Sequence, residues 1–352
     1  MVLENCSHSP ELEMLQQRLL RLGLSYGDFK RIKADPMDFA AWFGEIFRMA
    51  KRYAGLADEA RRKDQTVTAV ELWHRASDYF HYTQLFQPYS QTKLDIRKAS
   101  HDNFLKMIEF FSPKIERIEV PYLDKRLPGY LRVATPDSPL VILMNGLDSA
   151  KEVELFYFSE AFFKRGLSTL CIDAPGQGEL LGQSRLSPEI ESVISTVIDF
   201  ITASPFFRPK RLGLFGVSFG GHLAVRSAVL IERITACICL GSFFDAEPLA
   251  KFPPPVHGAL CAQYGIKDDA ELQQLYGQLS LAALPDKIRQ PILIIHGGKD
   301  YLFDLRQAHK INEWASGEKE LWVYEDAEHV CSSCFDELLP KMGDWMFEHL
   351  SK

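Results

Sequence analysis

The stretch LFGVSFGGH (214–222) sets Ser218 between Gly216 and Gly220, with Gly221 behind. Glycines two positions either side of one hydroxyl either make a plain strand-to-helix corner or clear space around a nucleophile on a tight turn. Ser218 directly follows the apolar run RLGLFG and directly precedes the helical run HLAVRSAVL, the strand–turn–helix context that a G-x-S-x-G nucleophile elbow requires. A serine hydroxyl is a weak nucleophile, so it needs a base, and the base needs an orienting acid. On an elbow of this kind the chain order is Ser…Asp/Glu…His, with acid and base each following a late strand. Asp300 stands just past PILIIHG and a second glycine, and His329 just past KELWVYE. Their rivals are weaker: Asp304 reads as the N-cap of the next helix, His296 falls inside a strand and His309 inside a helix. An oxyanion hole would use the backbone amide of Phe219 and one from the loop NGLDS (145–149), which follows the early strand PLVILM. Leu147 is assigned as that second donor, with Gly146 as the alternative. Asp148 and Ser149 read as braces of this loop, and Asp173 and Glu179 of DAPGQGE (173–179) as structural loop residues.

Two regimes of composition must position these groups. Residues 1–112 read as helical: Leu12, Leu15, Leu19, Leu20 and Leu22 recur at helical spacing before Gly23, and further periodic segments cover 37–53, 66–86 and 91–110. Their aromatics, Trp42, Phe43, Phe47, Trp73, Tyr79 and Phe80, form stripes of the kind that fill a core, and His74, His81 and His101 read as surface or packing residues. This region is expected to be a helical accessory domain.

Residues 113–352 alternate short apolar runs with helical stretches, after two antiparallel-looking strands, IERIEVPY and GYLRVA, with Pro121 and Pro128-Gly129 as turn markers. That alternation predicts an α/β domain, a mostly parallel sheet with helices on both faces. Its ligands would bind beyond the carboxyl ends of the strands. Residues 243–290 read as an irregular, cap-like insertion whose apolar residues, Phe244 among them, roof the site. Glu247 and His257 within it are candidates for polar contacts to a substrate, set against the plainer reading of solvated loop residues.

The chain has 352 residues, 46% hydrophobic and 25% charged, with a formal net charge of -7. An acidic balance argues against nucleic acid or an anionic membrane as partner. The start, MVLENCSHSPELEM, has no secretory-signal pattern, and runs such as PILIIH are too short to span a bilayer, so a cytoplasmic address is expected. Cys171, Cys237 and Cys239 lie in apolar runs, where a reduced thiol serves as a small hydrophobe. Cys331 and Cys334 form a lone CxxC, so no zinc site is expected; a redox role is the lesser reading.

The motifs NGLDS-x-KE, D-x-PGQGE, GVSFGGH, HGGKD and AEH, together with RLLRLGLSYGDFKR and LPGYLRVA, resemble the α/β-hydrolases of the branch with an N-terminal helical domain. That branch includes the 2,6-dihydroxypseudooxynicotine hydrolase of bacterial nicotine breakdown, the fermentation–respiration switch protein and the fungal yellowish-green-type polyketide-shortening hydrolases. The resemblance spans nearly the whole chain. It implies Ser218, Asp300 and His329 as the triad, sets Glu247 near a glutamate associated with the nicotine-pathway active site, and implies cleavage of a carbon–carbon bond next to a ketone without metal or organic cofactor. It also implies a dimer through the helical domain. Composition and resemblance together point to a small aromatic or polyketide-like substrate. An esterase or thioesterase, a natural-product tailoring enzyme that cyclises, transfers or eliminates, and a non-catalytic interaction module remain as alternatives.

Overall fold

The computed structural model describes residues 10–32, 39–85, 87–246, 252 and 254–352, and the chain divides into two compact units, Met1–Phe111 and Ser112–Lys352. The first unit holds helices α1 (Pro10–Arg21), α2 (Tyr26–Phe29), α3 (Phe39–Arg62), α4 (Thr66–Gln84) and α5 (Gln91–Ile108). Gly23, at φ +122, lets the chain turn after α1, and Ser25 caps α2 by accepting the Asp28 N–H at 3.0 Å. Helix α3 runs well past the expected end at 53, because AGLADEARR is rich in strong helix formers and Gly55 alone does not break it. The unit is locked from inside: the buried Asp28 carboxylate accepts the hydroxyls of Tyr79, at 2.6 Å, and Tyr53, and Ser77 and Ser100 join α4 to α5 at 3.2 Å.

The second unit is built on one eight-stranded sheet: β1 (Glu116–Tyr122), β2 (Lys125–Arg132), β3 (Leu140–Met144), β4 (Ser168–Ile172), β5 (Leu212–Val217), β6 (Ile234–Leu240), β7 (Ile292–Gly297) and β8 (Lys319–Tyr324). The order across the sheet is β1-β2-β4-β3-β5-β6-β7-β8; β2 is antiparallel to β1 and β4, and every other pair is parallel. Pro128 and Gly129 lie inside β2, not at a turn; the turn falls at Leu123, at φ 50. The space at Gly129 is tight, since a Cβ would sit 3.0 Å from Leu170 Cδ1 and 3.3 Å from Cys171 O. Pro121 sits in the edge strand β1, where a missing ladder donor is tolerated.

The central strands are buried on both faces, which is why they read as unbroken apolar runs. Ile142, Leu170, Leu214, Cys237 and Ile294 share a core with Ile194 and Ile198 of α7 (Ile190–Thr202) and Leu223 and Ala224 of α8 (Phe219–Leu230). Phe215 points the other way and meets Phe158 and Phe162 of α6 (Phe156–Phe163) at 5.2 and 5.5 Å, with α12 (Phe335–Ser351) beside them through Phe335. Helix α6 is entered through a wide π turn at Lys151–Leu155.

Much of the described part of segment 243–290 is helical rather than irregular. It contains α9 (Pro254–Tyr264) and α10 (Asp269–Leu279), and α11 (Arg306–Trp314) follows β7. Prolines at the start of α9 hide it from a breaker rule, although proline is favoured in a first turn. Asp268 caps α10 by accepting Glu271 N–H at 2.9 Å, and Leu272, Leu275, Tyr276 and Leu279 bury its inner stripe. Among the described residues no helix is long and apolar enough to cross a membrane.

Candidate active site

Strand β5 delivers Ser218 to the carboxyl edge of the sheet at φ 56 and ψ -122, a conformation that costs a non-glycine residue energy. The turn is held from both sides: Ser218 N–H donates to Leu240 O at 2.7 Å and Ser218 O accepts Gly221 N–H at 2.9 Å. The flanking glycines are steric necessities. A Cβ on Gly216 would lie 2.1 Å from Gly220 O, and one on Gly220 would lie 2.4 Å from the carbonyl oxygens of both Met144 and Asn145.

Ser218, His329 and Asp300 come together in one hydrogen-bonded line. His329 Nε2 is 2.8 Å from Ser218 Oγ and its Nδ1 is 2.7 Å from Asp300 Oδ2. A carboxylate only accepts, so Nδ1 carries the imidazole proton and Nε2 is left to accept from the serine. His329 and Asp300 are 2% and 8% exposed, so the relay runs where water screens little. The other oxygen of Asp300 accepts the amides of Leu302 and Phe303, each at 2.9 Å. The two loops that carry acid and base pack back to back through glycines: a Cβ on Gly297 would meet Glu328 O at 2.3 Å, and one on Gly298 would meet Glu325 O at 2.4 Å. Immediately after His329, Val330 and Cys331 adopt φ 61 and 55, a second strained turn beside the relay.

The rivals are engaged elsewhere. Asp304 is exposed and pairs with Arg306 at 2.8 Å, and His309 is exposed on α11. His296 is fully buried and its Nε2 donates to Phe303 O at 2.7 Å; burial lowers its pKa and keeps it neutral.

The loop after β3 passes beside the serine: a Cβ on Gly146 would lie 3.5 Å from Ser218 Cβ. Phe219 is the first residue of α8, where helix geometry leaves the amide without an intrahelical partner. Leu147 N–H likewise donates to no acceptor among the described residues. The ends of this loop are braced by buried polar groups. Asn145 Nδ2 donates to Asp173 Oδ1 at 2.6 Å, and Ser149 Oγ donates to Glu154 at 2.6 Å. Asp173 also accepts Lys151 N–H at 3.2 Å and Lys151 Nζ at 2.7 Å. Burial alone would lower the Lys151 ammonium, but the Asp173, Glu152 and Glu179 carboxylates around it outweigh that and hold it charged. Lys151 is the member of this brace that residue-type reasoning missed, although it stands in the NGLDS-x-KE motif.

An aromatic wall stands behind the relay. Phe303 lies 5.5 Å from His329, Phe243 and Phe252 lie 4.9 and 5.3 Å from Phe303, and Phe219 lies 5.6 Å from Phe243. His222 stacks on Phe243 at 4.3 Å and donates from Nδ1 to Phe243 O at 3.2 Å; burial pushes its pKa down to about 3. Phe244, a candidate substrate contact, turns its ring edge onto Trp314 of α11 at 5.7 Å. His257 is half-buried on α9, 3.9 Å from Cys261 Sγ. Glu247 lies outside the described residues. A separate cleft of about 440 Å³, lined by Thr135, Pro139, Gly166 and Arg211, opens at the opposite, amino ends of the strands and holds none of these groups.

Comparison with known proteins agrees with this architecture. The family described as Esterase FrsA-like matches residues 49–348. A 2,6-dihydropseudooxynicotine hydrolase of Paenarthrobacter nicotinovorans is 29% identical over 352 residues, covering 97% of this chain and 93% of the relative. A 20-hydroxy-prefusarin hydrolase of Gibberella moniliformis is 28% identical over 347 residues, covering 83% of this chain and 82% of the relative. The crystal structure of a 2,6-dihydroxy-pseudo-oxynicotine hydrolase superposes with a TM-score of 0.83 at 25% identity, over 95% of each chain. An eight-stranded α/β-hydrolase sheet, helices ahead of its first strand and a family match over most of its length lead to one assignment: the chain is a hydrolase and belongs to the FrsA-like esterase family.

Proposed function

We propose that this hydrolase cleaves a carbon–carbon bond adjacent to a ketone, in a β-diketone or acyl-aromatic, polyketide-like substrate, through an acyl-enzyme on Ser218. The observation that carries the nucleophile is the unbroken line from Ser218 Oγ through His329 to Asp300, at 2.8 and 2.7 Å. His329 Nε2 takes the hydroxyl proton as Ser218 Oγ bonds to the ketone carbon, and Asp300 holds the imidazolium that results. The amides of Phe219 and Leu147 receive the developing oxyanion. Collapse breaks the carbon–carbon bond, its electron pair leaves with the carbon fragment, and the proton on His329 passes to that fragment. Water, deprotonated by His329, then releases the acyl group and restores Ser218. Carbon leaves only where the substrate supplies an electron sink, such as a second ketone or a phenol. Relatives named as hydrolases of 2,6-dihydropseudooxynicotine and of 20-hydroxy-prefusarin support a substrate of that kind.

A second reading, a carboxylesterase working through the same relay, is favoured by the family match. Purified protein offered an aryl ester and a β-diketone separates the two, because only a carbon–carbon hydrolase turns over the diketone. Ser218→Ala should lower kcat by about 10⁵- to 10⁶-fold while the protein stays folded. A variant with unchanged turnover would refute the covalent route.

A further inference from the structure

An amide can serve an oxyanion only if its peptide plane is held at one rotation. A trans peptide points its carbonyl and its N–H in opposite directions. Whatever grips the Gly146 carbonyl therefore sets where the Leu147 N–H aims. That carbonyl has two donors: the shorter bond comes from Gln177, whose Nε2 donates to Gly146 O at 3.1 Å, and the longer from Ser149 N–H of the same loop at 3.4 Å. The next peptide is held in the same manner: Gln263, in the last turn of α9, donates from Nε2 to the Leu147 carbonyl. The backbone of Gln263 is itself anchored, because its main-chain carbonyl accepts Leu186 N–H at 2.8 Å. Both glutamines are 2% exposed.

The local backbone is shaped to set Gln177 in place. Gly176 and Gly178 flank it at φ +80 and +49, and both are out of reach for a side chain. A Cβ on Gly176 would lie 2.7 Å from Leu186 N, and one on Gly178 would lie 1.9 Å from Asp173 Cγ. The residue between them must be long, neutral and able to donate. Glutamate would set acceptor against acceptor, and lysine would bury an extra charge at a carbonyl.

We infer that Gln177 is a positioning residue that aims the Leu147 amide at the oxyanion, with Gln263 fixing the following peptide and tying this loop to α9. The inference rests on the Ser218 reading above, and its test keeps the two apart. The readouts are the rate at which a fluorophosphonate labels Ser218, kcat and KM on an aryl ester, and the thermal unfolding curve, in wild type, Gln177→Met and Gln177→Glu. Labelling rate and kcat should fall about 10- to 100-fold in both variants, with KM within about threefold and a preserved unfolding transition. Should Gln177→Met fail to fold, Gln263→Met reads the same effect through the next peptide. Equal labelling of wild type and the folded variants, or a rise in KM alone, overturns the inference and leaves the Ser218 reading intact. A wild-type protein that does not label overturns that reading and this one with it.

Discussion

His296 lies inside β7 and His329 in the loop after β8, and their ring nitrogens meet different partners. His329 joins acid to serine, whereas His296 donates to Phe303 O at 2.7 Å, and Phe303 N–H in turn holds Asp300 Oδ1 at 2.9 Å. His296 thus clamps the acid loop from behind. Replacing it with phenylalanine should free that loop and lower kcat about 10- to 100-fold, with Ser218 still labelled more slowly, as steady-state and labelling kinetics will record. The catalytic candidates were legible in the sequence because their signal is local: a serine between glycines, an acid and a histidine each just past an apolar run. Gln177 and Gln263 were not, since a glutamine that reaches a carbonyl in another loop leaves no spacing to read. The same holds for Lys151, whose charge argues for the surface until its three carboxylates are seen around it.

Strands β3 to β7 were legible as elements because burial on both faces writes itself as short runs of Val, Ile, Leu and Cys between helical stretches. The elements that escaped were those where a local rule and a tertiary demand disagree. Proline and glycine in β2 looked like a turn, but an edge neighbour and a crowded approach to Leu170 place them in the ladder. Helix α9 starts in prolines and has no clean apolar stripe, so only its packing in the fold defines it. At this scale the sheet's less populated face is the sensitive one. Phe215 sits between α6 and α12, touching Phe158 at 5.2 Å and Phe162 at 5.5 Å. Phe215→Ala should cost about 3–5 kcal/mol, read from the urea midpoint, because rigid aromatic neighbours cannot close the cavity.

For the molecule as a whole, buried titratable groups set the response to acid. His222, held near a pKa of about 3, and His296, also lowered by burial, bind fewer protons folded than unfolded. Their contribution is complete above the ordinary histidine pKa of about 6.5 and is lost as pH falls below it, by up to about 1.4 kcal/mol per histidine per pH unit. Asp78 of the first unit, pushed up to about 6 by burial, runs the other way between about 6 and its ordinary 3.8 and offsets part of the loss. Urea midpoints for the second unit should therefore drop between pH 7 and pH 5, and His222→Leu should flatten the slope. The order of the strands carries a consequence in time. Ser218 follows β5, but Asp300 and His329 follow β7 and β8, which reach the sheet's far edge last as the chain is synthesised. Under the mechanism proposed above, a nascent chain therefore carries Ser218 for some hundred residues before His329, its proposed base, is made. On that mechanism reactivity would arrive only when the last strand docks, leaving an incomplete chain chemically silent rather than a stray nucleophile.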